Sequence, residues 1–158
     1  MTGKTITVLG CAALLAACNS NSAPGNDRLA ELEKEAVAAP RMAAGPALDN
    51  VAPGALYPGT LNEADLRSLG GTSGRCVFRM TRVGFPSFLY GGSARQGTIK
   101  LNGKLVMLPA RGGASYADAG LTVEMREEEG SGEEATMILR IPGAPDELGF
   151  RGFSNCGA

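Results

Sequence analysis

Four cysteines, Cys11, Cys18, Cys76 and Cys156, are the chemically most restrictive residues of this chain. It contains no histidine among its 158 residues, which removes Ser-His-Asp and Cys-His nucleophilic catalysis together with the commonest metal ligand. No G-x-S-x-G elbow, P-loop or C-x-x-C pair occurs either. Carboxylate-pair or lysine-dependent chemistry is left, and no motif supports it. The expectation is a protein with no catalytic residues, no metal and no cofactor, in which arginines and small polar residues serve binding.

Cys18 gives the chain its organisation. A charged start (Met1 and Lys4), an apolar middle (Ile6 to Ala17) and small residues before the cysteine form a secretory signal pattern. The alternative, a membrane-spanning or buried helix, conflicts with length, because a span needs roughly 20 apolar residues. The ending Leu15-Ala16-Ala17-Cys18 resembles the lipobox of bacterial lipoproteins. That resemblance implies cleavage before Cys18, lipid on Cys18, and anchoring to a membrane by several acyl chains, since one chain alone holds weakly. Asn19 stands where an aspartate favours inner-membrane retention in such proteins, which implies the outer membrane, with the protein facing the periplasm.

If Cys11 leaves with the signal and Cys18 carries lipid, Cys76 and Cys156 remain as an even pair in an oxidising compartment. They read as a disulfide, with two buried free thiols as the alternative. Apolar residues make up 44% of the sequence, enough for one core, so one domain and a tether are expected. Residues 61–158 hold 11 Lys and Arg against 11 Asp and Glu. A neutral domain lacks the basic face that nucleic-acid binding needs.

The elements that would position these residues follow from periodicity. Residues 1–17 are the signal peptide and 18–59 a linker rich in Ala, Pro and Gly. Within it Leu29, Leu32 and Ala36 share a helical face over residues 27–38, a marginal helix in a tether or a helix for a partner. The folded domain is expected over 60–158. Thr60-Leu61-Asn62-Glu63 reads as a capping box, opening a helix to Leu69 that buries Leu61, Ala64 or Leu66, and Leu69, and ends at Gly70-Gly71.

From Cys76 the period becomes two, with Cys76, Phe78 and Met80 on one face. Asn102-Gly103 between two strand-like runs signals a hairpin pairing Leu101 with Lys104 and Ile99 with Val106. Ile99, Leu101, Val106 and Leu108 then face the core. Pro109 to Ala119 reads as a loop. Leu121, Val123 and Met125 mark one strand, and Ala135, Met137, Leu139 and Ile141 another. The acidic stretch between them is a solvated turn rather than a calcium site, lacking EF-hand spacing. Leu148 to Cys156 closes the chain beside the first strand. The expected fold is mainly β: a small antiparallel β-barrel or sandwich with one short N-terminal helix.

The run from Cys76 to Ile141 resembles the membrane-bound inhibitors of c-type lysozyme. The resemblance rests on the cysteine-bearing first strand, the hairpin Ile99-Lys100-Leu101-Asn102-Gly103-Lys104, and the stretch Arg111-Gly112-Gly113-Ala114-Ser115-Tyr116-Ala117-Asp118. It implies a small antiparallel barrel whose loop enters the lysozyme cleft. Gly113 and Tyr116 match the family's loop pattern. Gly112 stands at its serine and Ser115 at its basic position. Its later W-x-K-G is missing, with Met125 and Arg126 near that place, so Arg111 or Arg126 would supply the cation. The expected function is therefore a lipid-anchored envelope protein that inhibits c-type lysozyme by loop insertion. The alternative is a non-catalytic envelope lipoprotein that binds another envelope protein or a cell-wall polymer.

Overall fold

The computed structural model describes residues 36–128, 130 and 132–157. The signal segment, Cys18 and most of the expected helix at 27–38 lie outside the described residues. Residues 36–38, its end, are not helical. Alternation builds the rest. Strands β3 (Cys76–Arg79), β4 (Phe88–Tyr90), β5 (Gln96–Leu101), β6 (Lys104–Gly112), β7 (Ser115–Asp118), β8 (Leu121–Glu127), β9 (Glu134–Arg140) and β10 (Leu148–Cys156) each pair antiparallel with the next. β10 then pairs antiparallel with β3, which closes an eight-stranded barrel and leaves none of these strands as a free edge.

Register at the closure places Cys156 opposite Cys76, and the two form a disulfide. The Asn102-Gly103 hairpin has the expected register, Leu101 to Lys104 and Ile99 to Val106, and both turn residues take positive φ, 46° and 74°. Inward positions fill the barrel: Phe78, Ile99, Leu101, Val106, Leu108, Leu121, Val123, Met137 and Leu139 are all at most 1% exposed. Three aromatic rings pack together inside, Phe88 stacked on Tyr90 with centroids 5.2 Å apart and Tyr116 edge-on to both. Such pairs add about 0.5–1.5 kcal/mol each beyond burial. Gly152 lets β10 pass over Phe78, since a Cβ there would lie 2.1 Å from the Arg79 carbonyl oxygen.

Three expectations are corrected. First, the linker does not reach residue 59. β1 (Arg41–Met42) pairs parallel with β6, helix α1 (Ala44–Leu48) and a 3-10 turn (Pro53–Ala55) follow, and β2 (Pro58–Gly59) pairs with β5. The compact unit starts at Ala36. The cause is the long β5–β6 hairpin: β4 covers β5 only at 98–99 and β7 covers β6 only from Ala110, so the outer edges near the hairpin tip need partners. β1 and β2 supply them.

Second, there are two short helices, and the cap of the later one is shifted. Helix α2 spans Glu63–Ser68, with Asn62 as its N-cap and Asp65 completing the capping box. Leu61, expected inside the helix, precedes the cap and is fully buried. With Val77, Leu89 and Leu105 it forms a second cluster outside the barrel, against which Leu66 and Leu69 of α2 pack. Asp65 is 0% exposed and accepts from the backbone N–H groups of Ala39 (2.7 Å) and Asn62 (3.0 Å) and from Lys100 Nζ (2.7 Å). Burial raises its pKa, but the Lys100 and backbone hydrogen bonds outweigh that and hold it below the ordinary value.

Third, 109–119 is not a loop. β6 runs on to Gly112, and β7 returns from Ser115 after a register shift between Ala110 and Gly112.

Candidate functional site

Alternating strand direction sorts the connections between the two ends of the barrel. The N-terminal segment lies over one end: Asn102 and Tyr57 exchange backbone and side-chain hydrogen bonds, Asn102 Nδ2 donates to the Ala55 carbonyl at 3.1 Å, and Gly45 approaches Ala119. Ala44 and Ala47 of α1 join the barrel core. The other end carries the β4–β5, β6–β7 and β8–β9 connections. It is the end to which the sequence assigns its binding residues.

The β6–β7 turn is built by Gly112 and Gly113, with φ of 122° and 55°, and neither has any atom within 4 Å of where a Cβ would stand. Both are exposed, as is Arg111 at the base of the turn. Arg111 Nε donates to the Ala117 carbonyl at 3.1 Å, which orients the guanidinium along β7. Among the described residues no carboxylate is seen to pair with it. Ser115 is half-buried and pairs in register with Glu124. Arg126 lies one pleat further along β8, whose Met125 N–H donates to the Ala114 carbonyl at 3.0 Å, so Arg126 borders the same turn.

Arg111, Gly112, Gly113, Ser115 and Arg126 therefore lie at one end of the barrel. Arg126, however, is engaged. Its Nε donates to Glu124 Oε1 at 2.8 Å, Arg140 Nη1 donates to Glu124 Oε2 at 2.8 Å, and Arg140 continues to Glu147 at 3.0 Å. The hydrogen bonds from Arg126 and Arg140 hold the Glu124 carboxyl below its ordinary pKa.

Tyr116 does not belong to the exposed turn. Its side chain points inward, is 5% exposed and completes the aromatic trio. Burial raises its phenol pKa, against the hydrogen bond from the Gly91 backbone and the nearby charge of Arg75. Tyr90 beneath it is likewise raised by burial, although its hydroxyl bonds Ser154 Oγ at 2.5 Å. Tyr116 thus supports the turn from inside. Sequence reasoning missed Arg75 as part of this end, since a lone arginine ahead of a strand carries no motif. It also missed Asp65, although Asn62-x-x-Asp65 is itself a capping-box pattern.

Among the described residues there is no group of three or more Cys, Asp or Glu placed to hold a metal ion, and no helix long and apolar enough to cross a membrane. The arrangement offers an exposed cation on a narrow two-glycine turn, carried by a barrel whose disulfide and opposite end are fixed. No curated protein and no solved structure matches the chain. A family model described as a domain of unknown function (DUF6692) matches residues 14–158.

Proposed function

The chain belongs to the DUF6692 family, whose description assigns no activity, and we propose from its own residues that it is a lipid-anchored envelope binding protein whose β6–β7 turn enters the cleft of a c-type lysozyme. The observation that carries this reading is Arg111: an exposed guanidinium, without a paired carboxylate among the described residues, at the base of a turn narrow enough to enter a groove. Glycosidases of this kind use a pair of carboxyl groups flanking the scissile bond. A guanidinium presents a planar fork of donors that matches a carboxylate in a bidentate pair, and such a pair is stronger than a neutral hydrogen bond.

The closed antiparallel barrel agrees with the fold that the inhibitor resemblance implies. The Cys76–Cys156 bridge suits an oxidising compartment, and the signal pattern ending at Cys18 suits lipid anchoring in the outer membrane, facing the periplasm. In this reading Arg111 takes the cationic role. Arg126 is spent on Glu124, and Tyr116 keeps the turn in place from within the core.

The test is lysis of a cell-wall suspension by c-type lysozyme with added lipid-free chain, residues 19–158. Stoichiometric inhibition is the expected result. Full lysis at excess protein overturns the lysozyme assignment and leaves the other reading, a barrel that binds another envelope protein or cell-wall polymer.

A further inference from the structure

A groove of about 440 Å³ runs on the outside of β5 and β6 from Arg41 to the barrel mouth, within the size range of small-molecule sites. Arg75 stands where it meets the mouth. Its Nε is buried and has no hydrogen-bond partner among the described residues, and burial lowers the pKa of its guanidinium while the Tyr116 phenol nearby opposes that. That Nε is closed off from the groove, but Arg75 also lines the groove, and its terminal guanidinium nitrogens, without a hydrogen-bond partner among the described residues, are the donors that an acceptor bound there would meet. The local backbone is shaped around this side chain. Gly92 has φ of 73°, and a Cβ there would lie 2.9 Å from Arg75 Cγ and 3.3 Å from the Gly74 carbonyl oxygen. The β4–β5 turn, closed by Arg95 N–H donating to the Gly92 carbonyl at 3.1 Å, places the exposed Ser93 on the groove rim. Arg41, held by its bond to the Ser68 carbonyl, puts a second cation at the far end.

We propose that this groove binds a small oxyanion-bearing ligand, a carboxylate or a phosphate, with Arg75 as the principal anchor and Arg41 and Ser93 as further contacts. The donor set suits either anion. The apolar lining from Leu69 and Met107 leaves room for a short hydrocarbon or sugar portion beside the charged group. The inference does not depend on the lysozyme reading, because the groove lies on the β5–β6 face and Arg111 does not line it.

The experiment is amide-shift titration of the lipid-free chain, residues 19–158, with acetate and separately with inorganic phosphate, each against sodium chloride at matched ionic strength. Expected are saturable shifts at Gly91, Gly92 and Ser93 with a Kd of roughly 1 mM. Weakening by about tenfold or more is expected in Arg75→Met, and none in Arg111→Ala. Whichever anion binds more tightly identifies the class. Ser93→Ala, at an exposed turn position, is the second variant, expected to weaken binding about threefold with its melting temperature unchanged. Absence of saturable shifts with both anions, equal shifts with chloride, or full binding by a folded Arg75→Met protein overturns the proposal. If Arg75→Met does not fold, unchanged binding by Ser93→Ala and Arg41→Ala together overturns it.

Discussion

Replacing Asp65 by alanine tests how the N-terminal segment, helix α2 and the barrel are joined. The fully buried carboxylate accepts from Ala39, Asn62 and Lys100 at 2.7–3.0 Å. Removing it leaves the Lys100 ammonium, with a side chain only 17% exposed, and two backbone N–H groups without their acceptor. Breaking one side of a buried ion pair costs about 3–5 kcal/mol. Spread over the unit from Ala36 to Ala158, at about 2.1 cal/mol/K per residue, that lowers the melting temperature by about 12–19 °C.

The same pair has an acid signature. The folded-state pKa of Asp65 lies below its ordinary value of 3.8, so the unfolded chain takes up a proton first as pH falls. The contribution is complete above about pH 5 and is lost as pH drops through the folded value. Urea titrations followed by circular dichroism from pH 7 down to 3 read both effects. Asp65→Ala should be less stable at pH 7 and show a shallower acid slope than the parent. Lys100→Met should also destabilise, and the double variant should cost less than the two single changes added together. A loss under about 1 kcal/mol for Asp65→Ala, or an unchanged acid slope, would refute the clamp.

Other outcomes follow from the same contacts. Replacing both Cys76 and Cys156 by serine opens a loop with a sequence separation of 80, and urea unfolding should show a loss of about 4.5 kcal/mol on the chain-entropy model. Gly152→Ala drives a Cβ to within 2.1 Å of the Arg79 carbonyl oxygen and should cost about 3 kcal/mol or more in the same assay, because backbone at the barrel seam cannot step aside. Tyr116→Ala removes one ring of the aromatic trio and should cost about 3–5 kcal/mol, so a loss of binding in that variant reports on folding. Arg111→Ala, at an exposed position, should leave stability within about 0.5 kcal/mol of the parent.

The strands of the barrel were legible where large apolar residues alternate without interruption. Leu121, Val123 and Met125, then Ala135, Met137 and Leu139, mark β8 and β9, and Asn102-Gly103 fixes the register of β5 with β6 because both turn residues take positive φ. Legibility ended where side chains are small. Arg111 to Ser115 contains two glycines and an alanine, and the register shift at Ala110 breaks the alternation, so Tyr116 read as a loop residue when it is a core residue. Residues 36–59 read as linker because β1 and β2 are two residues long. They exist through pairing with the β5–β6 hairpin, which no local pattern carries. The cap at Asn62 was displaced by the equally good pattern at Thr60, and tertiary contacts of Leu61 and Asp65 decide between them. At the candidate site Arg111, Ser115 and Arg126 border one turn, a neighbourhood that the sequence named only through the inhibitor resemblance. The pairing of Arg126 with Glu124 and the inward turn of Tyr116 depend on the folded sheet.

The measurement that bears most directly on the proposed function is the affinity of c-type lysozyme for the lipid-free chain and for its Arg111→Ala variant, taken by calorimetry at physiological salt with both proteins verified as folded. Loss of one partner of a buried charge pair costs about 2–5 kcal/mol, so binding should fall by about 30-fold or more, while Arg126→Ala, whose guanidinium is already held by Glu124, should bind within about threefold of the parent. Binding that is absent in the parent, or equally tight in Arg111→Ala, would contradict the account.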